Sequence, residues 1–115
     1  MNSNFILLNK TQKTIEYYNK LILNFSKKEV VLKQDIEKTS FSLIRNLFAF
    51  NINDTERIKQ KFLKDYLVDL SMLNFYTNIS YSKKMISKHQ LEVLTKCFIE
   101  LKKITYGLIR KEVKE

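Results

Sequence analysis

A chain of 115 residues with 21 basic and 12 acidic side chains, a formal net charge of +9 and 44% hydrophobic residues has room for one ordinary core and is too apolar for a disordered basic tail. It has no proline and a single glycine, Gly107, which excludes an architecture built on tight hairpins and β-bulges, since those turns lean on Gly, Asn-Gly and Pro. The composition therefore predicts an all-α fold.

Four capping-box patterns, a capping residue followed three positions later by Glu or Gln, divide the chain: Asn9/Gln12, Ser26/Glu29, Asn53/Glu56 and Ser87/Gln90. The first predicted helix, about 10–25, carries Ile15, Tyr18, Ile22 and Phe25 on one stripe. The second, about 27–51, carries Leu32, Ile36, Leu43, Leu47 and Phe50, with Thr39 and Ser40 in the gap. In the third, about 54–80, the stripe is Ile58, Phe62, Tyr66, Leu70, Leu73 and Tyr76 or Thr77. The fourth, about 88–113, shows Leu91, Leu94, Phe98, Leu101 and Leu108 with Ile104 beside them. The pattern predicts one domain over 1–115, an up-and-down antiparallel four-helix bundle with short polar connections.

On the second helix Phe41, Ile44 and Phe48 fall outside the Leu43/Leu47/Phe50 stripe, rotated by roughly 100–160° at about 100° per residue. One core stripe does not bury both sets, so this second face predicts a homo-oligomer interface; the competing expectation is a wide core stripe with a few exposed aromatics.

No catalytic set emerges. His89 and Glu92 resemble a metal pair, but di-metal bundles need two Glu-x-x-His motifs with further carboxylates, and here one histidine stands in reversed order. The Arg-x₄₋₆-His motif of HEPN-class ribonucleases is missing, since the nearest arginine upstream of His89 is Arg57. Cys97 lies beside the apolar stripe of the fourth helix and reads as a small hydrophobe. Asp65 and Asp69 share a face without a third ligand and read as solvated. The single cysteine, the lack of a zinc spacing and of a Gly-rich phosphate loop, and the lack of an apolar run of about 18 residues predict a soluble cytoplasmic protein without metal, cofactor, enzymatic activity or membrane association.

The charge points instead to a polyanion. Residues 1–53 carry eight basic and four acidic side chains and residues 54–115 thirteen and eight, so no basic tail exists. Eighteen of the 21 cations are lysines, point charges suited to phosphates rather than the bidentate forks that read base edges. The predicted nucleic-acid residues are Lys83, Lys84, Lys88, Lys96, Lys103 and Arg110, near the last connection and along the fourth helix.

Residues 62–110 also carry a family likeness. Met85-Ile86-Ser87-Lys88-His89-Gln90-Leu91-Glu92, Glu100, Ile104 and Tyr106-Gly107-Leu108-Ile109-Arg110 resemble the last helix of the accessory variability determinants of diversity-generating retroelements, a Leu-Ser-x-x-Gln-Tyr-Glu entry and a Glu-Ile…Gly-Gly-Trp-Ile-Lys ending. The 23S rRNA intervening-sequence four-helix-bundle proteins are more distantly similar. One glycine stands where the family has two, Leu108 replaces its tryptophan, and the third helix is less basic. The resemblance implies a basic homopentamer that binds RNA or DNA through the phosphate backbone and assists a reverse transcriptase in template-directed mutagenesis. The alternatives are a structural or protein-interaction bundle with no nucleic-acid role, and a small RNA-cleaving helical toxin.

Overall fold

The computed structural model describes residues 3–113; the first two and last two positions of the predicted 1–115 unit lie outside the described residues. Four α-helices follow one another, α1 (Ser3–Ile22), α2 (Val30–Ile52), α3 (Glu56–Ser82) and α4 (Lys88–Val113). Each packs on its chain neighbour and α4 closes on α1, so that α1 lies diagonally across from α3 and α2 from α4. The result is the all-α up-and-down bundle, a rod of 47 × 23 × 20 Å whose length follows from 26- and 27-residue helices at about 1.5 Å per residue.

The buried positions follow a strict alternation of three- and four-residue steps. In α3 they are Leu63, Tyr66, Leu70, Leu73, Thr77 and Ser80, and in α2 Ile36, Ser40, Leu43, Leu47 and Phe50. This average of 3.5 keeps one seam against the partner helices. It also corrects the predicted α3 stripe: successive four-residue steps from Ile58 through Phe62 to Tyr66 drift about 40° each, leaving Ile58 exposed and Phe62 half-buried while Leu63 takes the core position.

The predicted start of the first helix, near residue 10, is displaced to Ser3. Leu7 is fully buried in the core, and the gain from covering that side chain, about 2 kcal/mol, extends the helix through the Asn9/Gln12 pattern, which becomes ordinary exposed helix. α1 also ends at Ile22 rather than near 25, yet Phe25 remains buried from the turn that follows.

Of the other three patterns two cap helical entries, by different means, and the third does not. Ser87/Gln90 is a reciprocal capping box, with Ser87 N donating to Gln90 Oε1 at 2.9 Å and Gln90 N to Ser87 Oγ at 3.1 Å. Ser26 accepts from Lys28 N at 3.3 Å at the start of a short 3-10 turn, Lys27–Glu29, that leads into α2. Asn53 closes the end of α2 instead of opening α3, its Nδ2 donating to Ala49 O at 2.6 Å, and α3 begins after Thr55 without a side-chain cap.

Two polar ties cross the core between the diagonal helices. Thr11 Oγ1 lies 2.7 Å from Tyr66 OH, and Tyr18 OH lies 2.7 Å from Thr77 Oγ1, all four residues being buried. Each threonine spends its proton on its own helix, Thr11 on Leu7 O and Thr77 on Leu73 O, both at 2.6 Å. The tyrosines are therefore the donors across the core. Burial pushes the Tyr18 phenol up to about 12 and raises Tyr66 as well, and the hydroxyls of Thr77 and Ser80 at Tyr18 and of Thr11 at Tyr66 only partly oppose this.

This proton order predicts unequal costs. Thr11→Val strands a buried phenol proton and is expected to cost about 1–3 kcal/mol, whereas Tyr66→Phe leaves Thr11 bonded to Leu7 and costs about 1 kcal/mol. The double variant is expected to be no less stable than Thr11→Val alone; urea unfolding that gave additive losses would contradict the tie.

Candidate nucleic-acid interface

α4 presents its outer face through Lys96, Lys103 and Arg110, all exposed. Their seven-residue spacing brings each within about 20° of the last and about 10.5 Å further along the axis. Lys88 begins the same face one turn below Glu92, and Glu92 stands between Lys88 and Lys96, so this end of the stripe is partly neutralised. Glu100 is drawn to the α1 side, where Lys10 Nζ holds it at 2.7 Å.

The connection residues are used differently. Lys83 Nζ contacts both oxygens of the poorly exposed Glu29 carboxylate at 2.9 and 3.1 Å, which pins the α1–α2 turn to the α3–α4 turn. Lys84 adopts φ 62°. Met85 N donates to Ser80 O at 2.8 Å and Lys84 N to Tyr81 O at 2.9 Å, a Schellman closure in which Lys84 occupies the left-handed position that usually belongs to glycine. Thus the six predicted cations do not form one cluster: Lys83 is engaged in structure, Lys84 and Lys88 sit at one end of the rod, Lys103 and Arg110 towards the other, and Lys96 between them.

At that other end the helix pairing assembles a group that residue spacing along single helices did not reveal. Gln60 Nε2 donates to Ile109 O at 3.0 Å, which sets the start of α3 antiparallel to the end of α4. The two stretches so joined, 57–64 and 101–111, hold Arg57, Lys59, Lys61, Lys64, Lys102, Lys103, Arg110 and Lys111 and no acidic residue. Lys59 and Lys61 lie over the rings of Phe50 and Phe62, 4.7 and 4.9 Å from their centroids. Each stretch is bounded by acids in the sequence, Glu56 and Asp65 on α3 and Glu100 and Glu112 on α4; Asp65 is met by Lys61 at 3.4 Å and shares the α2-facing side of α3 with Asp69, whose Oδ2 accepts from Asn46 Nδ2 at 2.9 Å. Burial raises the Asp69 carboxyl above the usual range, against the Ser42 hydrogen bond, with Asp65 adding to the rise and Asn46 opposing it. The pair thus belongs to the α2–α3 seam rather than to a wholly solvated face.

On the opposite side of the rod, Phe41 and Phe48 are 64% and 50% exposed and Ile44 is half-buried. Val30 and Ile52, also exposed, continue this stripe along α2. Phe41 borders three shallow depressions, two shared with α1 whose rims carry Glu16, Glu37 and Lys33, and one on α2 alone, beside Phe48, whose charges are Lys38 and Arg45. The surface is apolar with charges of both signs.

His89 and Glu92 are exposed in the first turns of α4, and Cys97 is half-buried in the α1–α4 groove beside Tyr17 and Val93. Among the described residues no group of three or more His, Cys, Asp or Glu side chains converges, and no helix is long and apolar enough to cross a membrane.

The arrangement defines an all-α four-helix bundle with one strongly cationic end. No family model and no curated protein matches the chain. Its fold is shared with a protein of unknown function from the S23 ribosomal protein family of Bacteroides thetaiotaomicron, at a TM-score of 0.84 and 15% identity over 95% of this chain and 99% of that one.

The strained Lys84 gives a stability test independent of ligand. Lys84→Gly is expected to raise unfolding stability by about 0.5–1 kcal/mol, because glycine enters the left-handed region without a Cβ penalty; a loss of stability in thermal unfolding would contradict the Schellman assignment.

Proposed function

We propose that this protein is a non-catalytic accessory bundle that binds RNA or DNA through phosphates. The observation that carries the proposal is the pairing of residues 57–64 with 101–111, which concentrates eight of the 21 cations at one end of the rod and outnumbers the four acids, Glu56, Asp65, Glu100 and Glu112, that bound the two stretches. Such a concentration of like charge is unfavourable to the folded state by itself and is relieved when a polyanion neutralises it. Lysine predominates, so the binding depends on phosphate positions rather than base sequence. Lys96, Lys103 and Arg110 extend the surface along α4, and Lys84 and Lys88 supply its weaker far end.

The likeness of residues 85–92 and 104–110 to retroelement accessory proteins supports a reverse transcriptase as the protein partner and template-directed mutagenesis as the setting. The fold shared with an S23-family protein is compatible with this role and equally with a bundle that has none.

The α2 face supports a second component, self-association. Its rim charges are of both signs, which suits a second copy of a chain that is otherwise strongly positive, and the family resemblance gives the number as five. Linked copies multiply a modest cationic surface by avidity.

Two measurements test this function. Titration of structured RNA and duplex DNA at two salt concentrations is expected to show affinity falling with a log–log slope of about −0.9 per phosphate contact on duplex. Replacing Lys64, Lys102, Lys103 and Arg110 with Gln is expected to weaken binding more than placing Glu at Lys83, Lys84 and Lys88. Absence of binding at low salt would leave the protein-interaction bundle as the better account. In light scattering the wild type is expected to be oligomeric and Phe48→Glu monomeric; a monomeric wild type at tens of micromolar would overturn the self-association.

A further inference from the structure

We infer that Tyr106 is a stacking platform for an unpaired base, so that the cationic end of the bundle takes single-stranded RNA or DNA in preference to duplex. The inference rests on the nucleic-acid function proposed above and specifies its ligand.

Tyr106 lies on the outer face of α4 and is 44% exposed. Lys102 and Lys103 precede it by one turn and Arg110 follows it by one turn, positions whose side chains are neighbours on a helix surface. The antiparallel register fixed by Gln60 and Ile109 brings Lys64, exposed and one turn further along α3, to the axial level of Tyr106 on the adjoining helix. An aromatic face is thus bordered by cations from both helices, in two stretches that contain no carboxylate.

Gly107 adds to this geometry. It sits in the interior of α4, where glycine is unfavourable relative to alanine, yet a Cβ there would meet nothing within 4 Å. Neither packing nor backbone conformation within the monomer requires it. Half-buried beside Tyr106 and between Lys103, Arg110 and Lys111, it removes a side chain from the rim of the platform, the condition under which a ligand approaches a helix closely.

Other exposed aromatics differ: Phe48 has Arg45 one turn away but its neighbours Phe41 and Ile44 make that surface apolar, and no second helix lines it. Phe41 has Lys38 and Arg45 nearby but also Glu37 and Glu16, and it borders apolar depressions. Phe75 has no cation one turn away on α3. A duplex buries the faces of its bases and offers Tyr106 nothing to stack on, whereas a single strand presents base faces and phosphates together. With a base on the Tyr106 ring, the phosphates before and after it come within reach of Lys102 and Lys103 on one side and Arg110 on the other.

Fluorescence anisotropy with unstructured oligo-dT, oligo-U and a duplex of equal length, each at two salt concentrations, tests the inference. Wild type is expected to bind the single strands more tightly. Tyr106→Ala is expected to weaken single-strand binding about tenfold with an unchanged salt slope and unchanged duplex binding, while Tyr106→Phe retains wild-type affinity. Lys103→Gln is expected to weaken both ligands and flatten the salt dependence. Because the side chain is on the outer face, circular dichroism is expected to show all three variants folded, and Tyr106→Gln provides a second variant without an aromatic face. Unchanged single-strand binding by Tyr106→Ala, or an equal loss on duplex, overturns the stacking platform and leaves phosphate binding standing. Displacement of the single strand by polyglutamate at equal charge overturns it as well, since the patch would then be a general polyanion surface. Failure of the wild type to bind any of the three ligands overturns the nucleic-acid function itself.

Discussion

The structure depends on two buried phenols that must find acceptors. Tyr18 and Tyr66 fill the centre of the bundle with large apolar rings, but each carries a hydroxyl whose burial without a partner costs more than an ordinary hydrogen bond gains. Thr77 and Thr11 meet that requirement from the diagonal helix. Apolar packing by itself tolerates axial sliding, since one leucine replaces another in a heptad seam. A tyrosine that must place its oxygen 2.7 Å from a particular threonine does not. The two ties therefore fix α1 against α3 along the rod, and α2 and α4 fill the grooves left on either side. At the level of the Tyr18 tie, the tilted contact of Tyr18 with Phe98, at 6.4 Å between ring centroids, brings α4 into the same layer.

That constraint divides the surface. With its seam turned inward at Ile36, Leu43, Leu47 and Phe50, α2 has no means of burying Phe41 and Phe48 within the same chain. The helices that cover its flanks, α1 and α3, are already committed to the core. The apolar strip along α2 and the cations gathered where α3 begins and α4 ends are both consequences of the same register.

Electrostatics within the bundle follow a similar economy. Carboxylates near lysines are turned into ties between elements, as with Glu29 to Lys83 and Glu100 to Lys10. Exposed pairs of this kind contribute little stability, about 0–1 kcal/mol, but they withdraw their lysines from the free cationic surface. The stretches 57–64 and 101–111 have no carboxylate of their own, so most of their cations keep their charge available. Lys61, close to Asp65, is the partial exception.

Much of this was legible in the residues themselves. The near absence of glycine and proline, the apolar stripes and the Ser87/Gln90 box determined an all-α bundle and the entry to its last helix, because those signals act within a few residues of one another. The two-faced character of α2 was equally plain from periodicity. Local signals misplaced the start of α1, where burial of Leu7 outweighs a capping pattern, and exchanged Phe62 for Leu63, because four-residue steps drift from a seam that averages 3.5. The acid-free stretches were also present in the sequence, but separated by some forty positions; their union is a matter of how α3 and α4 align, which only the tertiary structure decided. The same holds for the Tyr–Thr ties and for Lys83, whose partner Glu29 stands 54 residues away. Local periodicity specifies which face of a helix is apolar, whereas the partner of each polar group depends on the axial register between helices, and that is set by packing across the core.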